Sequence, residues 1–131
     1  MKTNCFYVGE ASRVMQEHLP NECIDLTITS PPYDNARNYD GTPFTWDVFC
    51  SLANELYRVT KQGGIVVWVV GDQTKDGTET LTSFKQALYF KEKCGFKMHD
   101  TMIYNKQGLV TLLIIVIIKY LNICLFLSRE N

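Results

Sequence analysis

The sequence predicts an α/β layer fold, an open sheet flanked by helices, on three observations. Apolar residues switch along the 131 positions between short strand-like runs and segments of helical spacing. One run, Ile65 to Val70, is continuously β-branched and aromatic, as expected of a strand covered on both faces in a parallel sheet. Two strand-like runs end in turn-forming residues, Ser30-Pro31-Pro32-Tyr33 and Gly71-Asp72, and ligands of open α/β sheets sit beyond the carboxyl ends of strands.

The elements follow in order. Cys5 to Val8 reads as a short strand. Ala11, Val14, Met15 and His18 recur at helical spacing until Pro20 stops the helix. Asp25 to Thr29 is the next strand. Thr45 is placed to cap a helix whose apolar face is Trp46, Phe49, Leu52, Ala53, Leu56 and Val59. Gly63-Gly64 closes that unit before the Ile65–Val70 strand. A polar loop runs to Thr80, then Leu81, Phe84, Leu88 and Lys91 mark a further helix, and Phe96 to Tyr104 alternates as a strand.

The length suffices for one hydrophobic core. A net charge of −1 and a pI near 6.1 give no global basic field for nucleic acid, so any grip on DNA must be local. Cys5, Cys23, Cys50, Cys94 and Cys124 are odd in number, widely spaced and contain no C-x-x-C pair. That pattern predicts free thiols in a reducing cytosol, with neither a disulfide framework nor a zinc site. No apolar h-region follows Met1-Lys2-Thr3-Asn4, so no secretory signal is expected.

Ser30-Pro31-Pro32-Tyr33 carries the chemistry. Proline fixes φ and has no N–H, and it pushes the preceding residue toward extended backbone, so paired prolines after a strand leave carbonyls and few donors. Such a corner suits recognition of a planar amino group. A strand-ending turn with a packed tyrosine is the plain alternative.

The resemblance to a known family rests on a longer ordered set: Thr29-Ser30-Pro31-Pro32-Tyr33-Asp34, Arg37-Asn38-Tyr39-Asp40-Gly41, Glu55-Leu56-Tyr57-Arg58-Val59, Gly63-Gly64, Val67-Trp68-Val69-Val70-Gly71-Asp72-Gln73-Thr74 and Ser83-Phe84-Lys85-Gln86-Ala87. Over roughly its first hundred residues the chain resembles the DNA amino-methyltransferases, which methylate cytosine N4 or adenine N6 with S-adenosylmethionine. The resemblance implies an incomplete class I methyltransferase (Rossmann-like) sheet with flanking helices. Its partners would be DNA and a small-molecule methyl donor, with no metal and no membrane, in a bacterial or phage-host cytoplasm.

By that resemblance Ser30, Pro31, Pro32 and Tyr33 form the catalytic corner. The Ser30 hydroxyl and the Pro31 carbonyl would accept the two amino hydrogens, and Tyr33 would hold the ring of a flipped base. Gly9, Glu10 and Asp72 are the cofactor-binding candidates, although Gly9-Glu10 stands where the family usually has Gly-Asp. Asn35, Arg37 and Tyr39 form a polar-aromatic loop that is a DNA-contact candidate. His18 and His99 are assigned to surface or packing roles. Serine before the prolines favours cytosine N4.

Two family features are missing. The glycine-rich loop that cradles the methionine part of the cofactor follows late in the family's permuted order, and this chain has none; nor does it have a target-recognition segment. The division expected is residues 1–107 as a partial catalytic domain and 108–131 as an aberrant apolar tail. Leu109 to Leu127, interrupted by Lys119 and Asn122, is long enough for a membrane span or a buried strand pair.

A third reading is translation out of frame. Joining the last base of each codon to the first two of the next, from the Leu113/Ile114 junction, lets the same nucleotides encode H-N-R-Y-N-Q-I-F-E-Y-M-F-V-F. The family commonly continues with such an N-R-Y element and F-E-Y-M-F-V-F strand. The expectation is therefore a frame change near Gly108 and a truncated methyltransferase; the alternatives are a catalytically inactive remnant with weak or no nucleic-acid binding and a tail-anchored membrane protein.

Overall fold

The computed structural model describes residues 3–33, 43–105 and 121–129. Helix α1 (Ala11–His18) precedes strand β1 (Ile24–Thr29), helix α2 (Trp46–Val59) and strand β2 (Thr60–Val70). A small hairpin, β3 (Thr74–Lys75) and β4 (Thr78–Glu79), leads to α3 (Thr82–Tyr89), which continues as a π-helical turn over Phe90–Cys94. Strands β5 (Lys97–Asn105) and β6 (Leu121–Ser128) complete a four-stranded sheet of order β1-β2-β6-β5. β1 and β2 are parallel, whereas β6 runs antiparallel to both of its neighbours. The expected α/β class holds, with a mixed rather than purely parallel sheet.

Helix α2 forms where its periodicity places it. Thr45 Oγ1 accepts from the Val48 N–H at 3.3 Å, and Asp47 and Arg58 carry the charges that suit the first and last turns. Its inner face, Phe49, Ala53, Leu56 and Val59, is buried with Val66, Trp68 and Val70 of β2 and Leu125 and Leu127 of β6. Phe49 meets the rings of Trp68 and Phe90 edge-on, at centroid distances of 5.8 and 5.3 Å. Arg58 reaches back from α2 to the carbonyls of Met15 and Leu19, both at 2.9 Å, and so seats α1.

Four expectations need correction. Cys5 to Val8 is not a strand: Phe6 and Val8 are essentially fully exposed, and an alternating run without a ladder to join has nothing to hold it extended. Gly63-Gly64 lies within β2 instead of ending the helical unit, because the strand starts directly at Thr60, whose hydroxyl donates to the Leu56 carbonyl at 2.6 Å. The polar loop before Thr80 contains the β3–β4 hairpin, turned by Asp76 and Gly77 with φ of 53° and 78°.

The fourth concerns α3, whose helical period was legible but whose buried face was not. Leu81, Phe84 and Leu88 are all more than half exposed, and Ser83 and Gln86 turn inward. Buried partners decide this orientation. Gln86 accepts from the Trp68 indole N–H at 2.9 Å, and the Ser83 N–H donates to Asp72 at 2.8 Å.

The described part of the apolar tail is a sheet strand. In β6, Leu127 pairs with Val66 and Leu125 with Trp68, which adds both leucines to the core. No helix among the described residues is long and apolar enough to cross a membrane, and Leu121 to Leu127 of the run considered as a span are in β6.

Candidate functional site

The Ser30–Tyr33 corner lies just past the carboxyl end of β1. Ser30 is exposed, Pro31 is buried, and Pro32 and Tyr33 are half-buried. The Ser30 and Tyr33 hydroxyls are 2.8 Å apart, and either can donate. With Ser30 as donor, its lone pairs remain available to an incoming N–H. Tyr33 packs against the core cluster, and its carbonyl accepts from the Gln73 carboxamide at 3.4 Å. That bond ties the corner to the loop after β2, so the ends of the two parallel strands are joined where a ligand of this fold class would sit.

Beside the corner is a cleft of about 170 Å³, whose lining includes Pro32, Phe44, Trp46, Phe49, Lys85 and Gln86. Lys85 Nζ stands 3.8 Å above the centre of the Trp46 ring, a cation–π contact that holds an ammonium at the rim. Pockets for drug-sized ligands run to roughly 300–1,000 Å³, so this one suits a group of about one heterocyclic ring and not a whole nucleoside cofactor.

The cofactor candidates are occupied by local structure. Glu10 caps α1: Oε1 accepts from the Ser12 N–H at 3.0 Å, and Oε2 from the Ser12 hydroxyl at 2.6 Å and the Arg13 N–H at 2.9 Å. The bond from the Ser12 hydroxyl, with help from both backbone N–H groups, holds the Glu10 carboxyl below its ordinary range. At Gly9 a Cβ would come within 2.9 Å of Val14, so glycine is needed for the close approach to the helix. Both Asp72 oxygens bind Ser83, its N–H at 2.8 Å and its hydroxyl at 2.5 Å, and so cap the start of α3.

Asn35, Arg37 and Tyr39 lie outside the described residues. His18 stacks on Tyr7 at 4.5 Å, and His99 is exposed. Sequence reasoning did not single out Gln73, Trp46 or Lys85 for the site. Gln73 stood in the polar string closing β2, where its reach to Tyr33 has no sequence signature; Trp46 and Lys85 belong to different helices and meet only in three dimensions.

Comparison with known proteins places these features. The DNA methylase family of N6/N4 methyltransferases matches residues 24–117. The orphan methyltransferase M.BamHII of Bacillus amyloliquefaciens is 59% identical over 95 residues, covering 72% of this chain and 34% of that protein. The type II methyltransferase M.MjaVI of Methanocaldococcus jannaschii is 30% identical over 98 residues, covering 70% of this chain and 50% of that protein. The chain thus spans half or less of the length of these relatives.

Among solved structures, the cytosine-N4-specific PvuII DNA methyltransferase superposes with a TM-score of 0.76 at 20% identity, over 95% of this chain and 48% of that one. TTHA0409 of Thermus thermophilus, a putative DNA modification methylase solved with S-adenosyl-L-methionine, gives 0.68 at 23% identity, over 95% of this chain and 54% of that one. The fold is that of part of a class I methyltransferase, and the family match covers well over half of the sequence: the chain belongs to the DNA methylase family of N6/N4 amino-methyltransferases.

Proposed function

We propose that this chain is the base-binding half of a cytoplasmic DNA methyltransferase that modifies the exocyclic amino group of a flipped base, cytosine N4 in preference to adenine N6, with S-adenosylmethionine as methyl donor. The observation that carries the reading is the corner itself: an exposed Ser30 hydroxyl beside a buried proline, at a strand end, next to an aromatic-walled cleft of single-ring size.

An exocyclic amine is a poor nucleophile because its lone pair is delocalised into the ring. Two acceptors, the Ser30 hydroxyl and the Pro31 carbonyl, draw its hydrogens toward a tetrahedral arrangement and free that pair. Flipping costs a few kcal/mol, and stacking on an aromatic ring returns roughly 1–3 kcal/mol, so Tyr33 offsets much of the cost. No general base is required before the new bond forms.

Two observations support a donor site elsewhere in the fold: the cleft beside the corner is of single-ring size, and the Glu10 and Asp72 carboxylates bind Ser12 and Ser83 at the starts of helices. On this reading the donor site belongs to the part of the fold by which the relatives exceed this chain.

The same proposal treats residues 108–131 as out of frame. Two observations support it. Both buried side-chain polar atoms that lack a hydrogen-bond partner among the described residues, Ser128 Oγ and Arg129 Nε, lie in this segment, and unsatisfied buried groups are rare in natural cores. The alternative string F-E-Y-M-F-V-F and the actual Leu121 to Leu127 both put their polar residue at position 122 and apolar residues elsewhere, which keeps a strand in the sheet in either frame.

The test is a chimera carrying residues 3–105 of this chain in place of the matched part of M.BamHII. DNA from cells expressing it is digested to nucleosides and analysed by mass spectrometry. N4-methylcytosine is expected, and Ser30→Ala should lower turnover by about 10²-fold, the scale for losing one preorganised hydrogen bond at a reacting group. A folded chimera that binds the donor and leaves DNA unmodified would overturn the assignment.

A further inference from the structure

We infer that Gln86 is the residue that chooses the base: its side-chain amide is a fixed hydrogen-bond donor in the cleft, matched to cytosine and mismatched to a uracil-type ring. Gln86 is 3% exposed and lines the cleft beside the corner, with Pro32, Trp46 and Phe49 among its neighbours there. Its Oε1 accepts from the Trp68 indole N–H at 2.9 Å. An indole N–H can only donate, so the amide oxygen must face Trp68 and the NH2 group must face away from it.

That NH2 group has no partner among the described residues. It is nevertheless not sealed in the core, where the unsatisfied side-chain atoms are Ser128 Oγ and Arg129 Nε. Its remaining access is through the cleft that Gln86 lines. Leaving a buried amide donor without an acceptor costs free energy, so a nearly buried amide held in one orientation with its hydrogens unspent points to a ligand that brings the acceptor. Trp68 is itself fully buried and meets Phe49 and Phe90 edge-on, which fixes the group that orients Gln86.

The ligand follows from what surrounds the donor. Phe44, Trp46, Phe49 and Val70 give the cleft apolar walls, its volume of about 170 Å³ suits one heterocyclic ring, and Pro32 joins it to the corner. A ring with its amino group at Ser30 and the Pro31 carbonyl turns the rest of its hydrogen-bonding edge into the cleft. In cytosine that edge continues with N3 and O2, both acceptors, and the Gln86 NH2 can donate to either. In uracil or thymine position 3 carries an N–H, which sets donor against donor, and a site built around a polar group rejects such a mismatch strongly. Lys85 Nζ, 3.8 Å above the Trp46 ring, adds positive potential at the rim and favours the same acceptor edge. This inference rests on the reading of the corner as a base site and adds to it the residue that selects the base.

The experiment titrates 1-methylcytosine and 1-methyluracil into the full chain at pH 8 and follows the NMR signals of the Trp46 and Trp68 indole N–H groups. For so small a ligand a dissociation constant on the order of 10 mM is expected with 1-methylcytosine, and binding roughly 10-fold weaker with 1-methyluracil. Gln86→Glu keeps an acceptor for the Trp68 indole and removes the donor, so it should abolish the preference for cytosine. If that variant fails to fold, the comparison of the two bases on the unaltered chain still decides. The inference is overturned if 1-methylcytosine does not bind up to ~50 mM, if the two bases bind alike, or if Gln86→Glu retains the preference. The assay uses neither DNA nor methyl donor. A cleft that discriminates the bases therefore stands even if the chimera leaves DNA unmodified, and a methylating chimera with an indiscriminate cleft overturns this inference alone.

Discussion

Replacing Arg129 by alanine tests whether the apolar tail is an integral part of the fold. Arg129 follows β6, and its guanidinium is largely buried, with 14% of the side chain exposed. One terminal nitrogen donates to the carbonyls of Thr60 at 2.7 Å and Tyr57 at 3.2 Å, capping the end of α2; the other pairs with Glu22 at 2.8 Å, and the group lies 4.5 Å over the Tyr57 ring.

Hydrogen bonds from a charged donor are worth about 1.5–3 kcal/mol, and the ring contact adds about 1 kcal/mol. Glu22 is half exposed, so the ion pair adds less than about 1 kcal/mol. Against this, Nε is buried without a partner, which costs about 1–3 kcal/mol. The balance is a loss of about 2 kcal/mol for Arg129→Ala, which in a domain of this size lowers Tm by roughly 6–10 °C. Thermal unfolding followed by circular dichroism measures it. Arg129→Lys, which keeps the charge but not the fork, should fall between the two. A melting temperature for Arg129→Ala within about 1 °C of the parent would refute the reasoning, because it would mean that the end of β6 contributes nothing to holding α2.

Three further outcomes are expected. Calorimetric titration of S-adenosylmethionine into residues 1–131 should give no binding; a dissociation constant tighter than ~1 mM would contradict the proposed placing of the donor site outside these residues. Burial pushes the Cys94 thiol from about 9 up to about 12, so it should resist alkylation at pH 8.5 in the folded protein and react only on unfolding, as mass spectrometry of iodoacetamide-treated samples will report. Because that thiol binds its proton more tightly when folded, the stability it contributes is complete below pH 9 and is lost as pH rises from 9 toward 12. Melts across that range should show a progressive fall that Cys94→Ala reduces.

What could be read from the sequence was whatever local chemistry dictates. The Thr45 cap and the periodic face of α2, the β-branched run of β2, and the proline corner after β1 each depend on residues adjacent along the chain, and each stands where it was expected. The helical spacing of α3 was equally visible, but its orientation was not. Turning Ser83 and Gln86 inward depends on Asp72 and on the Trp68 indole, eleven and eighteen positions away.

The site divides in the same way. That Ser30 through Tyr33 form a turn at the end of β1 could be read from the sequence because proline restricts its own backbone and that of its neighbour, while the role proposed for them comes from the family resemblance. Gln73 holding the Tyr33 carbonyl, and Lys85 over Trp46, depend on how loops and helices from distant positions converge. The tail shows the limit most clearly. Its composition was open to a membrane span, a buried strand pair or, the reading preferred, a misread frame, since hydrophobicity favours burial without saying against what; only the ladder from Val66 and Trp68 to Leu127 and Leu125 put its last residues in the sheet.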